Sequence, residues 1–262
     1  MRSILLAAGV MAALPAFAAD PLNEAGVSIR AGAFRSEAET TIRVDSSGGV
    51  LGTTLSFEDD LGFQKTKTLP QVDLIWRINP RHRLELGYTR LARDSRKTIT
   101  GEIRFGDAVF PVNTSLDSTF DSSVMRLAYG YSFYRDGGNE LSVLVGLHVT
   151  GLETRLSSSG GQIAETADRT LPLPTLGLQG AWAFDDRWRL AGWAQVFAIE
   201  YGDYGGSLVN GQLSAEYRLS KNVALGAGWT VYDYNVDVEK GRARGKFDYL
   251  FSGPMLYVTA GF

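Results

Sequence analysis

The stretch Gln71-Val72-Asp73-Leu74-Ile75-Trp76-Arg77-Ile78 places Val, Leu, Trp and Ile at its even positions, while the odd positions include Gln, Asp and Arg. A period of two sets successive side chains on opposite faces of a β-strand, so one face is apolar and the other carries charge. After Asn79-Pro80-Arg81-His82 the chain resumes as Arg83-Leu84-Glu85-Leu86-Gly87-Tyr88, again with its apolar set on even positions. Two such runs around a tight turn make a hairpin. The grammar recurs in 125–133 and 141–149 around the turn 135–139, and in 176–184 and the run from Trp188 around Asp185-Asp186-Arg187. It recurs once more in 209–219 and 223–229 around Ser220-Lys221-Asn222. In the third hairpin the parity beyond Leu190 is open, because Trp193 and Phe197 fall opposite Leu190 and Val196.

Four hairpins supply eight strands, and the segments 26–44 and 246–262 add a first and a last, predicting ten. Eight is the alternative if Gly202 to Gly206 is a bend. Longer polar connections at 45–65, around Gly106, and at 157–169, 202–206 and 239–244 alternate with the tight turns. Short turns on one end, long loops on the other and strands of about ten residues are the pattern of a bacterial transmembrane barrel.

Composition agrees. The 262 residues, 44% hydrophobic and 21% charged, suit one large domain. With 26 Lys and Arg against 29 Asp and Glu, the chain has no basic excess for a phosphate backbone, so no nucleic-acid partner is expected. The absence of cysteine removes disulfides, thiolate metal sites and cysteine nucleophiles, and no cofactor or metal ion is expected. At the N-terminus Met1-Arg2-Ser3, an apolar run from Ile4 to Leu14, and Ala16-Phe17-Ala18 after Pro15 read as a signal peptide cut after Ala18. The expected division is therefore 1–18 leader and 19–262 one barrel domain. No later window offers the 18 consecutive apolar residues of a spanning helix.

Two features favour lipid over water as the outer medium. The face opposite the apolar one is Gly, Ser, Thr, Ala and Gln with isolated opposite charges, as a narrow filled lumen requires. Trp76, Tyr134, Phe184, Trp188 and Tyr217 cluster beside the short turns, where an interfacial aromatic girdle belongs.

The final segment, Gly253 to Phe262, with Leu256, Val258 and Ala260 alternating toward terminal Phe262, resembles the C-terminal β-signal of Gram-negative outer-membrane proteins. The wider pattern is similar to the small monomeric barrels of the OmpA-transmembrane, OmpX and OmpW type. The resemblance implies Sec-type export, insertion by the barrel-assembly machinery, outer-membrane lipid and lipopolysaccharide as surroundings, and a monomer. Ten strands depart from the eight of those relatives.

If the apolar parity faces lipid, Asp73, Arg77, Glu85, Arg126, His148, Gln179, Glu216 and Arg218 point inward and can pair. Such a barrel is just wide enough to be filled by side chains. The leading expectation is a filled lumen with a structural or surface-interaction role. Inward-parity Gly87, Gly130, Gly146, Gly177, Gly226 and Gly228 leave a narrow channel for small solutes as the alternative. A hydrolase at the barrel rim is the second alternative: His148 falls near the far rim, with Thr150 and Glu153 close in sequence, while His82 reads as a solvated turn residue. No catalytic motif supports it, and a non-enzyme is expected. Glu58-Asp59-Asp60 offers three acids in one loop, and 98–120 alternates long enough to stand above the membrane as a hairpin.

Overall fold

The computed structural model describes residues 26–201, 204–238 and 244–262. The expected leader, 1–18, lies outside the described residues. Thirteen strands and no helix occur among them: β1 (Val27–Val44), β2 (Leu55–Ser56), β3 (Thr66–Asn79), β4 (His82–Thr98), β5 (Ile103–Phe105), β6 (Ala108–Phe110), β7 (Ser115–Asp136), β8 (Asn139–Ser158), β9 (Ala164–Ala183), β10 (Trp188–Tyr201), β11 (Tyr204–Arg218), β12 (Val223–Val238) and β13 (Gly245–Gly261). Ten of these, β1, β3, β4 and β7 to β13, form one antiparallel sheet in chain order. The sheet closes through β1 and β13, in register from Ser28↔Gly261 to Val44↔Gly245. Closure removes the free edge, where each unpaired backbone group in lipid would cost several kcal/mol. The expected ten-stranded barrel is the observed fold.

Turn chemistry fixes one end. Gly137, at φ 57°, joins β7 to β8 by a two-residue link, a backbone region favouring glycine. Between β3 and β4, Asn79 Oδ1 accepts the backbone N–H groups of Arg81 (2.9 Å) and His82 (3.0 Å). Asp185 accepts those of Trp188 (2.6 Å) and Arg187 (2.7 Å), which hold its carboxyl below the ordinary range.

An apolar belt rings the outside: Val72, Leu74, Trp76, Leu86, Leu127, Val145, Leu178, Leu213 and Trp229 are all exposed. A belt this continuous is intolerable in water and is what a bilayer covers. The strands run past it. At about 3.3 Å per residue, the 22 residues of β7 exceed what a belt of about 25 Å needs even when tilted.

Beyond the belt the sequence expectation of a free-standing hairpin at 98–120 fails. β4 and β7 do pair out to Thr98↔Ser115. The tip folds over instead, with Ile99, Ile103, Phe105 and Phe110 buried. It joins the 45–65 loop through Thr53 N–H to Arg104 O (2.8 Å) and Gly106 N–H to Val44 O (3.0 Å). Four apolar side chains at the tip have no reason to stand in water when a neighbouring loop offers cover. The expected 157–169 loop also shrinks, because β8 and β9 pair out to Ser157↔Ala164.

Candidate functional site: a lumen in two layers

Inside the short-turn half the filling is ionic. Glu140 accepts from Arg77 (2.9 Å) and Arg83 (2.8 Å), and Arg83 also reaches Glu85 (2.9 Å). Arg126 bridges Glu85 (3.0 Å) and Asp73 (3.6 Å), stacks over Trp193 (4.3 Å) and donates to Gln195 Oε1 (3.2 Å). On the facing wall Glu216 accepts from Arg189 Nε (2.8 Å), Arg30 (3.4 Å) and the Tyr257 hydroxyl (2.6 Å). Arg30 lies 4.6 Å over the Tyr257 ring. Eight strands from around the barrel contribute, so these bonds tie the wall together across its own interior. A buried ion pair offsets its desolvation only when its geometry is good and its remaining hydrogen bonds are met. Here each carboxylate except Asp73 meets at least two guanidinium groups.

Of the residues singled out from the sequence, Asp73, Arg77, Glu85, Arg126 and Glu216 lie in this network. Gln179 accepts from Arg83, and Arg218 lines a small hollow with Arg189 and Glu216. Sequence reasoning passed over Arg30, Arg83, Glu140 and Arg189. Arg83 and Glu140 share the inward parity of Glu85 and His148 on their own strands, so the alternation that revealed the others also marks them. Arg189 directly precedes the stretch beyond Leu190 where the parity was open. The register now settles it: Trp193 and Phe197 share the parity of buried Gln195, while Leu190 and exposed Val196 face out.

The inward glycines leave no path. A Cβ at Gly87 would strike Asp73, at Gly146 the Gln195 side chain, and at Gly226 the Tyr257 ring. Neighbouring side chains lie over these positions, and the hollows among them are small, about 50 Å³ beside Arg77, Arg83, Glu85 and Glu140 and about 40 Å³ beside Asp73, Gly87 and Arg126.

His148 lies level with the far edge of the apolar belt: it is paired with Leu173, and Leu147 beside it is the last exposed apolar residue of its face. His148 is fully buried inside the barrel, with Nδ1 3.3 Å from Thr175 Oγ1 and Nε2 3.0 Å from Asn210 Nδ2. Both ring nitrogens are occupied, and Thr150 is turned to the Tyr232 hydroxyl (2.7 Å). His82 opens β4 and packs between Tyr129 and Tyr131, at ring distances of 5.8 and 5.3 Å.

Beyond His148 the filling turns apolar. Tyr232, Tyr234, Phe247, Tyr249 and Phe251 on β12 and β13 form a chain of ring contacts, and Phe120 meets Tyr249 edge-on (5.6 Å). The 45–65 loop dips into this layer: Leu55, Phe57, Leu61 and Phe63 are buried, and Phe57 meets Phe120 at 5.0 Å. Glu58 goes in with it, accepting from Arg93 (2.6 Å) and from Thr40 N–H (3.0 Å). The three acids of that loop therefore diverge. Asp59 is exposed near Lys65 (3.7 Å), and Asp60 accepts Ser56 N–H (2.7 Å). No metal-holding cluster occurs among the described residues.

On the β8–β11 side the apolar layer is incomplete. A cavity of about 370 Å³ lies against Ile42, Leu152, Leu171, Leu173, Phe197, Tyr234 and Phe247.

On the outside, Trp76, Tyr134, Phe184 and Trp188 are exposed at the short-turn end, and half-buried Tyr217 packs 4.9 Å from Trp188. Leu256, Val258 and Phe262 are exposed on the final strand, and Ala260 shares their parity.

No protein-family profile and no curated protein sequence matches the chain. Among solved structures it is similar to the outer-membrane protease OmpT of Escherichia coli, with a TM-score of 0.61 and 11% identity over 90% of this chain and 96% of that one. Weaker likenesses include Ail, the attachment invasion locus protein of Yersinia pestis (TM-score 0.41, 12% identity, 88% and 97% covered). The translocator domain of the autotransporter NalP of Neisseria meningitidis is another (0.42, 11%, 90% and 88%). The chain has the fold of the outer-membrane β-barrels.

Proposed function

We propose that the protein is a Gram-negative outer-membrane barrel with a structural or surface-interaction role, its lumen sealed at membrane level and its long loops outside. In this reading the chain is exported by the Sec route, loses its leader after Ala18, and is inserted as a monomer by the barrel-assembly machinery through the Leu256, Val258, Ala260 and Phe262 face. The observation that carries it is the ionic network from Arg77 to Glu216, which fills the short-turn half of the lumen. An ion entering would have to displace charges already compensated by one another, at a desolvation cost of several kcal/mol per ion. Nothing in the geometry favours hydrolysis: His148 has both nitrogens bonded inside the filled barrel. What the barrel offers the exterior is loop surface, including exposed Val50, Leu51, Val109 and Val112.

Planar-bilayer recording of the refolded chain tests this, after confirming that it migrates faster unheated than boiled. A silent membrane is expected. Steady discrete conductance steps would overturn the sealed-lumen reading.

A further inference from the structure

Strand β9 is laddered along nearly its whole length on one side only. Toward β8 the pairing runs from Glu140↔Ala181 to Ser157↔Ala164, whereas toward β10 it stops at Leu176↔Val196. Residues 171–175 and 197–201, which the register would set opposite each other, thus border a seam with no ladder between them. The cause is in the sequence Leu171-Pro172-Leu173-Pro174. Two prolines of one parity remove two N–H donors, and proline is tolerated in a sheet where that side has no partner. Because the β8 ladder passes both prolines unbroken, the missing donors lie toward β10.

The seam opens at the edge of the apolar belt. Below it Leu176, Leu178 and Val196 face out; alongside it Thr170, Asp168 and Glu200 replace them. Directly behind it lies the cavity of about 370 Å³, within the range of about 300–1,000 Å³ usual for small-molecule sites. Its wall is bare hydrocarbon: Ile199, of inward parity, is 47% exposed. Around it stand the cations Arg43, Arg169, Arg244 and Lys246 and the acids Asp45 and Asp237. Lys246, of outward parity, pairs with Asp248 (3.2 Å), and Arg169 donates to Asp168 O (2.6 Å), so the rim carries four cations against three acids. Asp45 is already held by Arg43 (3.1 Å) and Gly52 N–H (2.9 Å).

We infer that this cavity binds a single-chain amphiphile with an anionic head, of the class of long-chain carboxylates, which enters from the lipid through the β9–β10 seam. The hydrocarbon chain covers the bare wall, and the head meets the cationic rim. The inference stands apart from the sealed lumen, which rests on the short-turn half.

The test uses the full barrel in lipid nanodiscs with the fluorescent polyene acid parinarate. Saturable binding displaced by stearate is expected. Leu171→Trp, which fills the cavity, is expected to weaken it at least about tenfold by removing the buried chain's apolar contacts. Ala167→Phe serves if that variant does not give the unheated gel shift. Arg169→Glu is expected to weaken stearate about tenfold and leave octadecanol unchanged, since only the charged head loses a charge-assisted contact. The chain has no cysteine, so Pro174→Cys with Ala198→Cys gives one bridgeable pair, and closing it with a short bis-maleimide is expected to slow uptake. Absence of saturable binding, or full affinity in the cavity-filling variant, would overturn the site. Equal competition by stearate and octadecanol would overturn the anionic head. Unchanged uptake after bridging would overturn lateral entry.

Discussion

Strand β12 crosses both halves of the barrel and changes its chemistry on the way. In its lower part Leu225 and Trp229 face out and Gly226 and Thr230 face in; higher up, Asp233 and Asn235 face out while Tyr232 and Tyr234 are buried inside. β13 repeats the switch, from exposed Leu256 and Val258 with inward Thr259 to outward Lys246 and Asp248 with inward Phe247, Tyr249 and Phe251. The alternation never breaks step; only the solvent outside changes. Where lipid covers the exterior, the interior is left to charges that pair with one another. Where water covers it, the interior becomes an ordinary hydrophobic core. The two layers differ in kind: one is specified by partner geometry, the other by volume.

That contrast can be broken most sharply in the ionic layer. Glu140→Ala leaves Arg77 and Arg83 without their shared carboxylate, and losing one member of a buried pair costs about 3–5 kcal/mol. Urea unfolding followed by the heat-dependent gel shift is expected to show it, whereas replacing all three residues by apolar ones of similar volume is expected to cost far less. In the apolar layer Phe57→Ala opens a void where the inserted loop meets Phe120, with an expected loss of about 3 kcal/mol in the same assay. Proteolysis of the 45–65 loop should accelerate with it. An unchanged cleavage rate would mean the loop is not held by that ring. The smallest effect belongs to the boundary. Tyr232→Phe removes only the bond to Thr150, about 1 kcal/mol, and a much larger loss would show that the hydroxyl orders the layer below.

How far these layers could be read from the chain follows the same division. The lower lumen was legible because lipid makes the outer face uniformly apolar, so Asp73, Glu85 and Arg126 stand out by parity alone. The upper core was not. Tyr232, Tyr234, Phe247 and Tyr249 alternate as regularly, but an aromatic run with polar neighbours has the same pattern whether its aromatic face meets lipid or a core. The 45–65 and 99–114 segments have too little periodicity to announce which side chains turn inward. Pro172 and Pro174 carry a local signal of a different kind: Pro in a central strand argues for a missing partner.

The chain by itself determined an antiparallel barrel of ten strands or eight, the strand direction and, outside the third hairpin, which parity meets the bilayer, because a period of two and turn chemistry are local properties of backbone and neighbouring side chains. Only the tertiary structure decided which charges meet, how the loops fill the upper lumen, that both nitrogens of His148 are bonded inside the filled barrel, and where the wall parts. Each depends on residues far apart in sequence brought within reach by closure of the sheet, and no local pattern encodes that distance.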